Sequence, residues 1–147
     1  MLSIKRLSRD EDFIMIAAAE KKATAIGVPQ VIAVADESGN LIAFSRMDGG
    51  KASSIQIAMA KAFTAGAARN PTMFYNEHVP GSPSFGIHVS NEGRFSIIGG
   101  GVPVYAGRDC VGGIGVSSGT PAQDVEVAEA GVKALEAHWK RKTRAKK

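Results

Sequence analysis

The chain has 147 residues, 44% of them hydrophobic and 22% charged, which fits one globular domain with a core of its own and excludes a disordered or fibrous chain. No apolar run reaches the length of a membrane span, and Met1 to Arg6 lead into no apolar signal segment, so the expectation is a cytoplasmic protein that does not engage a membrane. The net charge of +4 is a property of the C-terminus: Lys140, Arg141, Lys142, Arg144, Lys146 and Lys147 leave only twelve basic residues against fourteen acidic ones before them.

That distribution divides the chain into a domain over 1–139 and a basic tail over 140–147. No basic stripe interleaved with aromatic residues occurs elsewhere, so nucleic acid is not an expected partner. The single cysteine, Cys110, makes no internal disulfide and reads as a buried apolar residue.

In chain order, Ser8 with Glu11 three residues on forms a capping box, and the first helix runs through Phe13, Ile16, Ala17 and Ala23 to about Ile26. Gly27 and Pro29 end it. Residues 30–35 and 41–46 read as strands around the turn Asp36-Glu37-Ser38-Gly39-Asn40, which makes a β-hairpin. After the loop Asp48-Gly49-Gly50, Ser53 with Gln56 predicts a second capping box. An alanine-rich helix follows through Ile55, Ala58, Met59, Ala62 and Phe63, and Asn70-Pro71 stops it.

The segment 72–85 carries Phe74, Tyr75, His78 and two prolines and reads as a long irregular loop of the kind that often holds function. Further strands are predicted over 86–90, 94–98, 103–106 and 110–117, joined by tight turns. Thr120, Pro121 and Gln123 open the last helix, whose apolar face is Val125, Ala128, Val132, Leu135 and Trp139. Tight turns imply antiparallel pairing. The expectation is an α+β domain, with helices packed on an antiparallel sheet of about five strands.

Seven glycines lie between Gly99 and Gly115. Glycine inside a strand marks a bulge, a bend, or close approach by a ligand or another backbone. The expectation is that this bare backbone admits a ligand or packs against another subunit.

Several ordered motifs then resemble one family. They are Val31-Ile32-Ala33-Val34-Ala35-Asp36, Gly39-Asn40-Leu41-Ile42-Ala43-Phe44, Ala60-Lys61-Ala62-Phe63-Thr64-Ala65, Gly99-Gly100-Gly101-Val102-Pro103, Val111-Gly112-Gly113-Ile114-Gly115-Val116-Ser117 and Gly119-Thr120-Pro121-Ala122-Gln123-Asp124. Together they resemble the GlcG/HbpS-like family, which includes the C-terminal domain of PduO-type corrinoid adenosyltransferases. The resemblance implies a profilin-like domain that assembles into homo-oligomers and, in members with a known ligand, binds haem. It also implies the Glu-x-x-Glu pair Glu126 and Glu129 as weak metal ligands.

Haem binding needs an apolar slot, an axial ligand and cations for the propionates. His78 and His88 are the candidate axial ligands, with Glu77 beside His78 to hold its second ring nitrogen. Lys61, Arg69 and Arg94 are candidates to pair with ligand carboxylates, and Gly99, Gly100 and Gly101 to let a planar ligand approach. Lys61 stands out because small and apolar residues surround it, so it should be paired or functional. Three readings stay open: a non-catalytic haem-like binding oligomer; an enzyme or accessory protein of small-molecule catabolism using His88 or His78 with Glu77 and Arg94; and a structural oligomer without a ligand.

Overall fold

The computed structural model describes residues 1–145. Helix α1 spans Arg9–Ala25, strands β1 and β2 span Val31–Asp36 and Leu41–Arg46, and helix α2 spans Ser54–Ala68. After an irregular excursion come β3 (Gly101–Ala106), β4 (Asp109–Ser117) and α3 (Pro121–Ala145). The four strands pair antiparallel in the order β2-β1-β4-β3. The α+β class stands, with four strands rather than about five. No described helix is long and apolar enough to cross a membrane.

The sheet is a middle layer. Ile32 and Val34 of β1, with Ile114 and Val116 of β4, pack against Met15, Ile16 and Ala19 of α1 and Val127, Ala128 and Leu135 of α3. The alternate residues Val31, Ala33 and Ala35 meet Ala58 and Ala62 of α2 on the other face. This two-sided cover explains why every residue of β1 is buried. Trp139 Nε1 donates to Glu11 Oε1 at 2.6 Å and ties α3 to the start of α1. There the Ser8–Glu11 capping box forms as expected.

The segments 86–90 and 94–98 are not strands. Residues 87–89 and 91–93 are short 3₁₀ turns. Gly86, Asn91, Glu92 and Gly93 all have positive φ, a conformation that breaks an extended run. His88 therefore sits on a turn rather than on the sheet. The box predicted at Ser53 is also absent: Ser53 is itself in the helical region and gives no side-chain cap. Helix α3 continues past Trp139 to Ala145; the last two lysines of the basic tail, 146 and 147, lie outside the described residues.

Glycine in β4 makes room for α2. A Cβ on Gly113 would stand 2.5 Å from the Gly66 nitrogen, and one on Gly115 would overlap the Ala58 carbonyl and the Ala62 nitrogen. Backbone of the helix thus rests directly on backbone of the strand, closer than any side chain permits.

One core group is costly. Asp12 in the first turns of α1 is fully buried, and neither carboxylate oxygen has a hydrogen-bond partner among the described residues. Burial first, then the charges of Glu11 and Asp36, push its carboxyl up to about 7. In the unfolded chain it titrates near 4. Between those values the unfolded state has released the proton and the native state keeps it, so this group's contribution to stability falls as pH rises from about 4 to 7 and is level above. Asp12→Asn removes that dependence. Urea unfolding should show the variant more stable than the parent by about 2–4 kcal/mol at pH 8, with the gap closing toward pH 4. Parallel pH curves for the two proteins would contradict the assignment.

Candidate functional site

The excursion over 72–98 is clamped to the fold at both ends. Thr72 is fully buried, and its hydroxyl accepts from the Gly101 N–H at 2.9 Å. The Thr64 hydroxyl of α2 accepts from the Ser96 N–H at 2.8 Å. Between these clamps an aromatic cluster forms. Tyr75 packs edge-on to Phe95 and to Phe74, with ring centroids 4.8 and 5.1 Å away. The His78 ring lies 5.3 Å from Tyr75. Its Nδ1 is buried and has no hydrogen-bond partner among the described residues.

Around this cluster the segment turns apolar side chains outward. Met73, Phe74, Val79, Phe85, Val89 and Ile98 are all exposed, Val89 at 71%. Six large apolar groups from one stretch of 26 residues form a concentration that isolated surface residues do not. His88 is exposed in the same stretch, between Phe85 and Val89. Glu77 is exposed too, and no hydrogen bond joins it to the His78 ring among the described residues.

The candidate cations are dispersed. Arg94 stacks its guanidinium over the Phe63 ring at 4.4 Å and lines a cleft of about 350 Å³ between α2, the β1–β2 turn and residues 92–93. Arg69 ends α2 in the left-handed region, with its carbonyl accepting from the Tyr105 hydroxyl at 2.7 Å. Lys61 is not available as a free surface cation: it is 1% exposed. Its Nζ donates to Asp124 Oδ2 at 2.9 Å and to the Val116 carbonyl at 2.8 Å. Burial pulls its ammonium below the usual lysine range, while Asp124 opposes that shift.

The glycine run lies against this pair rather than against open space. Gly100 has φ +127, and a Cβ there would fall 2.5 Å from the Val116 oxygen and 2.7 Å from Lys61 Nζ. At Gly101 it would overlap Thr72, and at Gly99 it would meet Met73 and Val125. The chain's own atoms therefore occupy the space that the sequence offered to a ligand. Glu126 pairs with Lys22 at 2.7 Å and Glu129 lies 3.9 Å from Lys133. No group of three or more metal-ligating side chains gathers among the described residues.

The sequence matches the family profile described as haem degrading protein HbpS-like over residues 7–133. The chain belongs to the HbpS-like family. A relative in Citrobacter freundii, an uncharacterized 15.0 kDa protein of the dhaT-dhaS intergenic region, is 40% identical over 116 residues, which cover 78% of this chain and 82% of that one. Among solved structures, the Klebsiella pneumoniae protein ORFY superposes with a TM-score of 0.91 at 34% identity, over 93% of this chain and 95% of that one. The PduOC:heme complex superposes with a TM-score of 0.84 at 28% identity, over 88% and 94%.

Sequence reasoning missed Asp124 as the partner of Lys61. The crowd of small residues around Lys61 signalled a paired lysine, but 63 residues separate the partners, and no local pattern spans that distance. A direct consequence can be measured. Gly100→Ala forces a side chain between Lys61 Nζ and the Val116 carbonyl and should cost about 2–4 kcal/mol. In urea unfolding, a loss below 0.5 kcal/mol, about that of an ordinary surface change, would show that the pair tolerates the intrusion.

Proposed function

We propose that this protein is a cytoplasmic, non-catalytic homo-oligomer that binds haem on the face built by residues 72–98, with His78 or His88 as axial ligand. The observation that carries the reading is the His78 imidazole, set among aromatic rings beneath exposed apolar side chains, with a buried ring nitrogen that nothing among the described residues satisfies. A buried polar atom without a partner is costly, and a bound guest or a second protomer removes that cost. The residues of the segment fit the group: two imidazoles, apolar surface to cover a macrocycle, and Arg94 for one of its carboxylates. The heme complex of PduOC, a relative of the same fold, supports the same ligand class. Gly99 and Gly101 contribute from behind, by seating Met73 and Thr72 at the root of the segment, while Gly100 makes room for the Lys61–Asp124 pair.

The exposed apolar residues also support self-association, since water contact at Phe74, Phe85 and Val89 is removed when copies meet through this face. The acid–base alternative has no geometric support, because Glu77 does not orient His78.

Titration with haemin should give a saturable Soret change at one haem per protomer, and His78→Ala or His88→Ala should abolish it. Light scattering should report at least twice the protomer mass of 15.3 kDa, and a mass of one protomer would contradict the oligomer. No spectral change at stoichiometric haemin would end the haem reading, and a full Soret change in the double variant would end the axial assignment.

A further inference from the structure

A second site lies away from the histidines, where the N-termini of α2 and α3 converge above Lys61. A cleft of about 240 Å³ opens there, lined by Lys51, Ser54, Lys61, Ser117, Ser118 and Asp124 among others. Ser54 and Ser117 are only 3% and 5% exposed. Of the hydroxyls in this lining, that of Ser118 is engaged, accepting from the Lys51 N–H at 3.0 Å. Those of Ser54 and Ser117 make no hydrogen bond among the described residues, although the serines carrying them are almost wholly buried. Neither hydroxyl oxygen is itself among the fully buried unpartnered atoms, so both open onto the cleft, where a ligand can supply the partner.

The charge of the cleft specifies which ligand. Both oxygens of Asp124 are occupied, Oδ1 by the Gly119 N–H at 2.9 Å and Oδ2 by Lys61. The Lys61–Asp124 pair is therefore neutral as a unit. An ammonium carries three donors, and Lys61 places two of them on Asp124 and Val116, which leaves one. Helix α2 begins with no side-chain cap and no acidic residue in its first turn; its Ser54 and Ile55 N–H groups donate to the Lys51 and Ala52 carbonyls, so it offers the cleft the positive end of its dipole rather than free donors. Lys51 is exposed and adds one full charge at the rim. The lining is thus a single net positive charge with hydroxyl donors and an uncapped helix end.

We propose that this cleft binds a small monocarboxylate. One net positive charge matches a monoanion better than a phosphate dianion. The volume lies below the roughly 300–1,000 Å³ of pockets for drug-sized ligands, so the site takes a molecule of a few carbons and excludes a macrocycle. The carboxylate accepts from the Ser54 and Ser117 hydroxyls near the positive end of the α2 dipole, with Lys51 closing over it. This site is independent of the haem reading, because it shares no residue with the candidate axial face beyond its neighbour Ile98.

Amide NMR on the full chain at pH 7.5 tests it, with sodium acetate, sodium lactate and inorganic phosphate as probes and sodium chloride at matched ionic strength as reference. Acetate or lactate should shift residues 52–54 and 117–119 in a saturable manner. The double variant Ser54→Ala/Ser117→Ala should weaken that binding about tenfold, two neutral hydrogen bonds being removed. Lys51→Glu changes an exposed residue that the fold does not need, and it should weaken carboxylate binding while leaving the haemin titration unchanged; it carries the test if the serine variant does not fold. Shifts that chloride reproduces, phosphate binding tighter than either carboxylate, or unaltered affinity in Lys51→Glu would each overturn the proposal.

Discussion

The architecture turns on one buried ion pair. Lys61 projects from α2 through the edge of the sheet and meets Asp124 in the first turns of α3, and it holds the Val116 carbonyl of β4 on the way. Both charges are almost fully out of water. Desolvating two such ions costs several kcal/mol each, and only good geometry with every remaining lone pair engaged offsets that cost. Here the offset is nearly complete, because the second Asp124 oxygen caps the Gly119 N–H. The pair joins α2, β4 and α3, which belong to three different layers of the fold.

That constraint explains the glycines. Lys61 reaches Asp124 only if Gly100 has no side chain, and α2 sits low enough to present Lys61 only if Gly113 and Gly115 are bare. The run 99–115 is therefore a packing device that lets a helix backbone lie on a strand backbone. On the proposed haem reading, the guest lies outward, at the excursion between Thr72 and Ser96. There the chain leaves the sheet, exposes apolar side chains and carries two histidines. The core layers are filled by the chain itself, with the Asp12 and Gln30 side chains buried in them without partners among the described residues; outside the core, unpartnered polar groups lie at the His78 face and in the serine-lined cleft beside Lys61.

Much of the fold is legible in the sequence, because its signals are local. The Ser8–Glu11 box, the Asp36–Asn40 turn, the Thr120–Gln123 box and the apolar stripe of α3 each depend on residues within a few positions. The region 86–98 misled for the same reason: its apolar residues alternate as a strand's would, but extension needs a neighbour to pair with, and the left-handed residues at 86 and 91–93 turn the chain away from the sheet. Ser53 has the right type for a cap, yet the preceding loop already holds it in a helical conformation. At the site, the residue types were readable and their partnerships were not. Lys61 was recognisable as a lysine in small, apolar company, whereas Asp124 looked like an ordinary first-turn acid. The orphaned Asp12 carries no sequence signal, since an acid near a helix start is ordinarily solvated.

The central claim is that Lys61 and Asp124 act as one unit. A double-mutant cycle on stability tests it most directly, with Lys61→Met, Asp124→Leu and the two combined, followed by urea unfolding at pH 7. Each single change strands a buried charge and should cost about 3–5 kcal/mol, while the combined change should cost less than the larger single loss, giving a coupling energy above about 2 kcal/mol. Losses that simply add would show two independent residues, and the account of the glycines, of α2 and of the cleft above them would lose its foundation.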